Sequence, residues 1–357
     1  MENMDMTALP PEYKQLAKEG HRGEIHQVTY KVRHYLNASR QLVTSGNVEA
    51  AEAGREPVEG EAILKTCSVY LPAGYDPHDI ETKYNVLYLL HGVGGDHDEW
   101  LDSNGKVDGS FVLCNIVDNL IANGHIDPLI IVFPNGRSAH DWTDRSFNPM
   151  GTNILGFYYF DYELRYDLIP FIESTYHTRA NIQDRSPEGI EKSRMHRAIA
   201  GLSMGGMQAL NLILGGDRCD STAYTGRESG WANGLDPTVR ASGMEDLFAY
   251  IGAFSNAPTS SGGSVLGAGI ASKMHQLHVL YMICGDADEV SIGSFESSTD
   301  GLAEAAGAYL ADFYQVIVKH GVHDFHVWNN GVYQFLLLSC RRRELHVRPN
   351  VIRLTIV

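Results

Sequence analysis

Five apolar runs set the rhythm of this chain: "YNVLYLL" (84–90), "DPLIIVFPNG" (127–136), "RAIAGLS" (197–203), "LFAYIGAFS" (247–255) and "LHVLYMICG" (277–285). Each is a short, unbroken hydrophobic stretch bounded by turn residues, the pattern of a strand buried on both faces of a parallel sheet. Segments with helical spacing lie between them. "SFVLCNIVDNLIANG" stops at Gly124, "YFDYELRYDLIPFIESTY" carries Pro170 as a kink or start, and "MGGMQALNLILGG" closes on glycines. "LAEAAGAYLADFYQVIVKHG" predicts a helix running into a last short strand, and "WNNGVYQFLLLSC" a closing helix. Strands alternating with helices require right-handed crossovers and a mostly parallel central sheet, with helices on both faces.

Two segments depart from that rhythm at the start. "EIHQVTYKVRHY" alternates as a half-buried strand does, and "AILKTCSVYLPAGY" reads as its antiparallel partner, so a hairpin precedes the parallel part. The pattern therefore divides the chain into an N-terminal extension (1–24), one α/β domain (25–340) and a tail (341–357). Two polar inserts interrupt the domain, at about 37–60 and 215–243. The second follows a helix leaving the serine turn described below, so it is expected on the surface, away from the site. The tail "RRRELHVRPNVIRLTIV" switches to basic and β-prone residues and reads as an appendage to a complete fold.

Charge narrows the partners. The chain has 44 acidic and 28 basic residues, a net charge of -16, which argues against nucleic acid or an anionic membrane surface. The start "MENMDMTALPPEYKQLAKEG" has no basic, apolar and small-residue succession of a signal peptide, and five cysteines lack paired spacing. Both features point to a cytoplasmic protein, or to a secreted one whose signal has been removed. The oligomeric state is not written in the pattern.

Chemistry enters at the strand ends. In an open parallel sheet, ligands bind beyond the carboxyl ends of the strands. Ser203 directly follows "AIAGL" and is boxed by Gly201, Gly205 and Gly206. That pattern is the Gly-x-Ser-x-Gly of a nucleophile elbow, a sharp strand-to-helix turn that holds a serine hydroxyl clear. Asp286 and Asp288 follow "VLYMICG", His323 follows "VIVKHG", and "HGVGG" (His91 to Gly95) follows "VLYLL". Serine, acid and histidine occur in that chain order at one edge. A serine needs an imidazole to take its proton as it attacks a carbonyl, and a buried carboxylate to hold the imidazole's tautomer. The oxyanion needs backbone donors, for which the amides of Met204 and of Val93, or else Gly94, are placed.

"VLYLLHGVGGDHDEW", "AIAGLSMGGMQAL", "LFAYIGAFSNAP", "CGDADE" and "GVHDFHVW" together resemble the esterase D-like group of α/β-hydrolases. They look most like the feruloyl and acetylxylan esterases of carbohydrate esterase family 1, over roughly 25–340. The resemblance implies a serine esterase of the α/β-hydrolase fold with no cofactor, acting on a small-molecule or oligosaccharide ester. It also implies Asp288 rather than Asp286 as the acid, and His323 rather than His326 as the base.

The pocket should be built from loops at the catalytic edge. "NGRSAHDWTDRSFNPMGTNILGFYYF" brings Asp141, Trp142 and Phe147, and His91 and Gly94 are expected beside it. Phe157 to Phe160 are equally suited to pocket and core. A metal site is not expected, because the acids and histidines of "GGDHDEW" and "HDFH" are adjacent on loops without ligand spacing. Three other activities compete with feruloyl ester hydrolysis. They are acetylxylan or short-chain ester hydrolysis, formylglutathione hydrolysis (whose cysteine-containing loop after "HG" is missing) and non-catalytic carbohydrate binding.

Overall fold

The computed structural model describes residues 7–40, 42–43, 60–102, 110–148, 151–218, 240–272, 274–340 and 349–357. Most of the first insert, and residues 219–239 of the second, lie outside the described residues. The described strands are β1 (Glu24–Arg33), β2 (Ala62–Leu71), β3 (Asn85–Leu90), β4 (Leu129–Pro134), β5 (Arg197–Leu202), β6 (Tyr250–Phe254), β7 (Leu277–Gly285), β8 (Leu310–Val318) and β9 (Asn350–Ile356). They form one sheet in the order β1-β2-β4-β3-β5-β6-β7-β8-β9. β1 and β2 pair antiparallel, β2 joins β4 antiparallel, and every pairing from β4 to β9 is parallel. The mixed sheet and its leading hairpin are those expected of an α/β-hydrolase.

Helices cover both faces. They are α1 (Leu113–Ala122), α2 (Phe160–Glu163), α3 (Ile169–Thr175), α4 (Pro187–Arg194), α5 (Met204–Leu214), α6 (Gly263–Ala271), α7 (Ile292–Thr299), α8 (Leu302–Ala306) and α9 (Phe325–Leu338). One core joins α2, α3, α5 and α6 to one face of the sheet, and the other joins α1 and α9 to the opposite face. A π turn over Leu164–Leu168 links α2 and α3 and places Pro170 in the first turn of α3, where its missing N–H costs little. No helix among the described residues is long and apolar enough to cross a membrane.

Both chain ends differ from their sequence reading. The tail is more than an appendage: β9 pairs with β8 from Asp312↔Asn350 to Val318↔Ile356. Its apolar side chains find cover only on that edge, which the local pattern could not reveal. β8 is accordingly nine residues long and is not the last strand. The N-terminal extension also joins the core. Leu9 and Tyr13 are buried, Leu9 N donates to Asn330 Oδ1 at 2.7 Å, and Tyr13 packs on Tyr333.

The second insert begins only after α5 has carried the chain about 16 Å, eleven residues at 1.5 Å each, from Ser203. Its described flanks meet in a bridge between Asp217 and Arg240. Arg218, fully buried, pairs with Asp161 on α2 at 2.6 Å.

Candidate active site

The turn between β5 and α5 is strained at Ser203, a buried residue. Ser203 has φ +51°, a region that side chains other than glycine rarely occupy. Its amide donates to Phe254 O at 2.9 Å and its carbonyl accepts from Ala257 N at 3.0 Å, so the end of β6 holds the turn in place. The neighbouring glycines are required by contact. A Cβ on Gly201 would lie 2.5 Å from the Gly205 carbonyl carbon, and one on Gly205 would lie 2.7 Å from His91 O. Only bare backbone lets α5 start this close to β3 and β5. Met204, the first residue of α5, is buried behind the serine.

Asp288 and His323 meet beside this turn. The Asp288 carboxylate is fully buried, and His323 Nδ1 donates to it at 2.9 and 3.1 Å. Oδ1 also accepts from Val290 N and Ser291 N. Burial alone would raise the carboxyl's pKa. The hydrogen bond and charge of His323, with the Ser255 hydroxyl and the Ser291 amide, outweigh it and hold the pKa below its ordinary value. With Nδ1 committed to Asp288, the His323 lone pair sits on Nε2, the nitrogen that a base would use. Trp328 packs edge-on against the imidazole at 5.1 Å, and Ser291 Oγ, bonded to Ser255 O, approaches Nδ1 at 3.4 Å. Asp286 is exposed and accepts from His320 N, while His326 is exposed in the first turn of α9.

The "HGVGG" loop stands next to the serine, for a Cβ on Gly92 would lie 3.5 Å from Ser203 Cβ. Gly92 N is spent on Glu99 Oε2 at 2.7 Å, so Val93 offers the next amide along the loop. Gly94 is exposed, with open space where a side chain would stand.

Two expected pocket residues are engaged elsewhere. His91 is buried, with both ring nitrogens engaged. Its Nδ1 donates to Gly92 O at 2.7 Å and its Nε2 accepts from Gly136 N at 2.9 Å, which fixes the neutral tautomer. Burial, chiefly, and the nearby Arg137 charge hold its pKa well below the ordinary value. Asp141 spends its carboxylate on the amide and hydroxyl of Thr143 in its own turn. Trp142 is half-buried, its carbonyl tied to Asn135 Nδ2 beyond β4. Phe157 to Phe160 have no exposed surface and belong to the core, whereas Phe147 is exposed. In the acidic turn, Asp96 pairs with Arg145 and Asp98 accepts from Ser68, and no group of three possible metal ligands occurs among the described residues.

Sequence reasoning gave no supporting role to Ser291, Arg137, Glu99 or Trp328, although Glu99 lies in "GGDHDEW" and Trp328 ends "GVHDFHVW". Arg137 left one clue, a charge inside the fully buried stretch 131–139. A cavity of about 470 Å³ lined by Tyr166, Arg185 and Leu247 lies at the opposite, amino-terminal edge of the strands and contains none of these residues.

Residues 65–217 match a family model described as "Putative esterase". That span holds the serine turn and the "HGVGG" loop and ends before Asp288. Solved structures of similar fold include the feruloyl esterase module from Clostridium thermocellum, 23% identical, with a TM-score of 0.59 and 95% of each chain covered. A ferulic acid esterase from Anaeromyces mucronatus is 20% identical with a TM-score of 0.62, covering 95% of this chain and 98% of that one. The chain has the α/β-hydrolase fold of these structures. It is 39% identical over 159 residues to endo-1,4-beta-xylanase Y of Acetivibrio thermocellus, which is 44% of this chain and 12% of that protein. It is 32% identical over 195 residues to an endo-1,4-beta-xylanase/feruloyl esterase of Xylanibacter ruminicola, 54% of this chain and 23% of the other. The matches span less than a quarter of the length of these two relatives.

Proposed function

We propose that the protein is a serine esterase that hydrolyses hydroxycinnamoyl esters of plant cell-wall polysaccharide or its fragments. The observation that carries the reading is the pairing of buried Asp288 with half-buried His323 past the ends of β7 and β8, together with a strained Ser203 past the end of β5. In this reading His323 Nε2 takes the Ser203 proton as Oγ attacks the ester carbonyl. The amides of Met204 and Val93 receive the developing oxyanion, each such donor typically worth ~3 kcal/mol in the transition state. His323 then protonates the departing sugar oxygen. Water, deprotonated by the same imidazole, releases the acid from the acyl-serine.

The acyl preference is supported by kinship with proteins named for feruloyl ester cleavage. Trp142, half-buried, and Phe147, exposed, are the aromatics of the long loop outside the core. Burial of Phe157 to Phe160 favours a second reading, a smaller acyl group such as acetyl.

Hydrolysis of methyl ferulate beside a short acetyl ester, with Ser203→Ala in parallel, tests both. Ferulate turnover that the alanine abolishes is expected. Acetyl turnover alone transfers the assignment to the second reading, and turnover surviving in the alanine protein overturns the mechanism.

A further inference from the structure

Four consecutive peptide planes of the loop after β3 are each gripped by a side chain. Glu99 Oε2 accepts from Gly92 N at 2.7 Å, and His91 Nδ1 donates to Gly92 O at 2.7 Å. Arg137 Nη2 donates to Val93 O at 2.6 Å, and Arg145 Nε donates to Gly94 O at 3.0 Å. A trans peptide is planar, so holding a carbonyl aims the following amide in the opposite direction. His91 thereby aims the Val93 N–H and Arg137 aims the Gly94 N–H. Val93 is locked between two clamped planes.

Arg137 is the odd member of this set. It is fully buried, and its guanidinium lies over the Phe157 ring at 4.9 Å. Nη2 is committed to Val93 O, but Nε and Nη1 are buried without a hydrogen-bond partner among the described residues. Asp96 and Glu99 act on it through space, and neither carboxylate bonds to it. A buried cation with idle donors weakens a fold, and an apolar chain of similar length would pack there at less cost. Its gain must come from something other than stability.

We propose that Arg137 is a positioning residue of the oxyanion hole. Its charge-assisted bond to Val93 O clamps the plane after Val93, as His91 clamps the plane before it, so that Val93 cannot rotate and its amide stays aimed at the oxygen of the carbonyl under attack by Ser203. Its charge, which no carboxylate bonds directly, adds a favourable field for the anion that forms there. The inference rests on the assignment of Ser203 and Val93 made above, and Arg137 itself touches no substrate.

The test compares Arg137→Met, Arg137→Lys and Ser203→Ala by steady-state kinetics on methyl ferulate and a short acetyl ester, with thermal melting of each. In Arg137→Met, kcat should fall ~100-fold with KM within about twofold, by the same factor on both esters and with Tm no lower than the parent. Arg137→Lys, which keeps a charge and one donor, should recover about tenfold of that loss. An unchanged kcat in Arg137→Met beside an inactive Ser203→Ala overturns this inference alone. So does a loss confined to KM, or one that follows a fall in Tm. If Arg137→Met does not fold, a normal kcat in Arg137→Lys overturns it equally. Turnover surviving in Ser203→Ala overturns the nucleophile assignment, and this inference with it.

Discussion

Asp288, with no exposed surface, gives both carboxylate oxygens to His323 Nδ1 at 2.9 and 3.1 Å. The pair commits Nδ1 and leaves the imidazole lone pair on Nε2. Asp288→Asn can present an amide N–H where the lone pair of an acceptor is needed, which favours the opposite tautomer. Its kcat should fall by ~10⁴ with KM nearly unchanged, read from initial rates on an activated ester.

The same pair makes a pH prediction. The folded pKa of Asp288 lies below its ordinary value of 3.8, so ionised Asp288 stabilises the fold above pH 3.8. That contribution is lost as pH falls through the folded value. The gap in Tm between the parent and Asp288→Asn should hold steady above pH 3.8 and narrow below it, measured by calorimetry across an acid series. A gap that widens on acidification would contradict the direction of the shift.

Gly205 lets the first turn of α5 rest on β3. Its absent Cβ would stand 2.7 Å from His91 O and 2.8 Å from Leu90 O, both backbone atoms that cannot swing aside. Gly205→Ala should lower stability by about 3 kcal/mol in denaturant titration. It should also lower kcat in the molecules that remain folded, because the displaced turn carries Ser203.

How far the sequence was legible follows from where each signal resides. The apolar runs marked β3 to β7 because a strand buried on both faces must be apolar at every position. The meeting of Asp288 with His323 was legible because β3 to β8 run parallel and send their carboxyl ends to one edge. β9 was not, since "NVIRLTI" alternates weakly and its partner β8 is distant in sequence. His91 and Asp141 were assigned to the pocket by position, but their partners, Gly136 N and Thr143, are set by loop conformation. Phe157 to Phe160 lie in a run whose composition suits a pocket as well as a core, and only the packing of α2 against the sheet buries them.

Lys65 belongs to the same unreadable class. It is buried with Glu163 at 2.7 Å, and Tyr30 and Ser138 donate to the same carboxylate. Lys65→Met alone leaves a buried charge unpaired and should cost about 3–5 kcal/mol. Lys65→Met with Glu163→Leu should recover more than half of that, the remainder reflecting the orphaned hydroxyls of Tyr30 and Ser138. Chemical denaturation of the two variants separates these outcomes.

The bridge between Asp217 and Arg240 has a practical side. The described chain on either side of residues 219–239 is joined here, with Arg218 paired to Asp161. What lies between two adjoining ends can change length at little entropic cost, because loop closure grows only logarithmically. That point is therefore a docking port in the engineering sense, where a binding module or fluorescent reporter could be spliced into the hydrolase while Ser203, Asp288 and His323 keep their places.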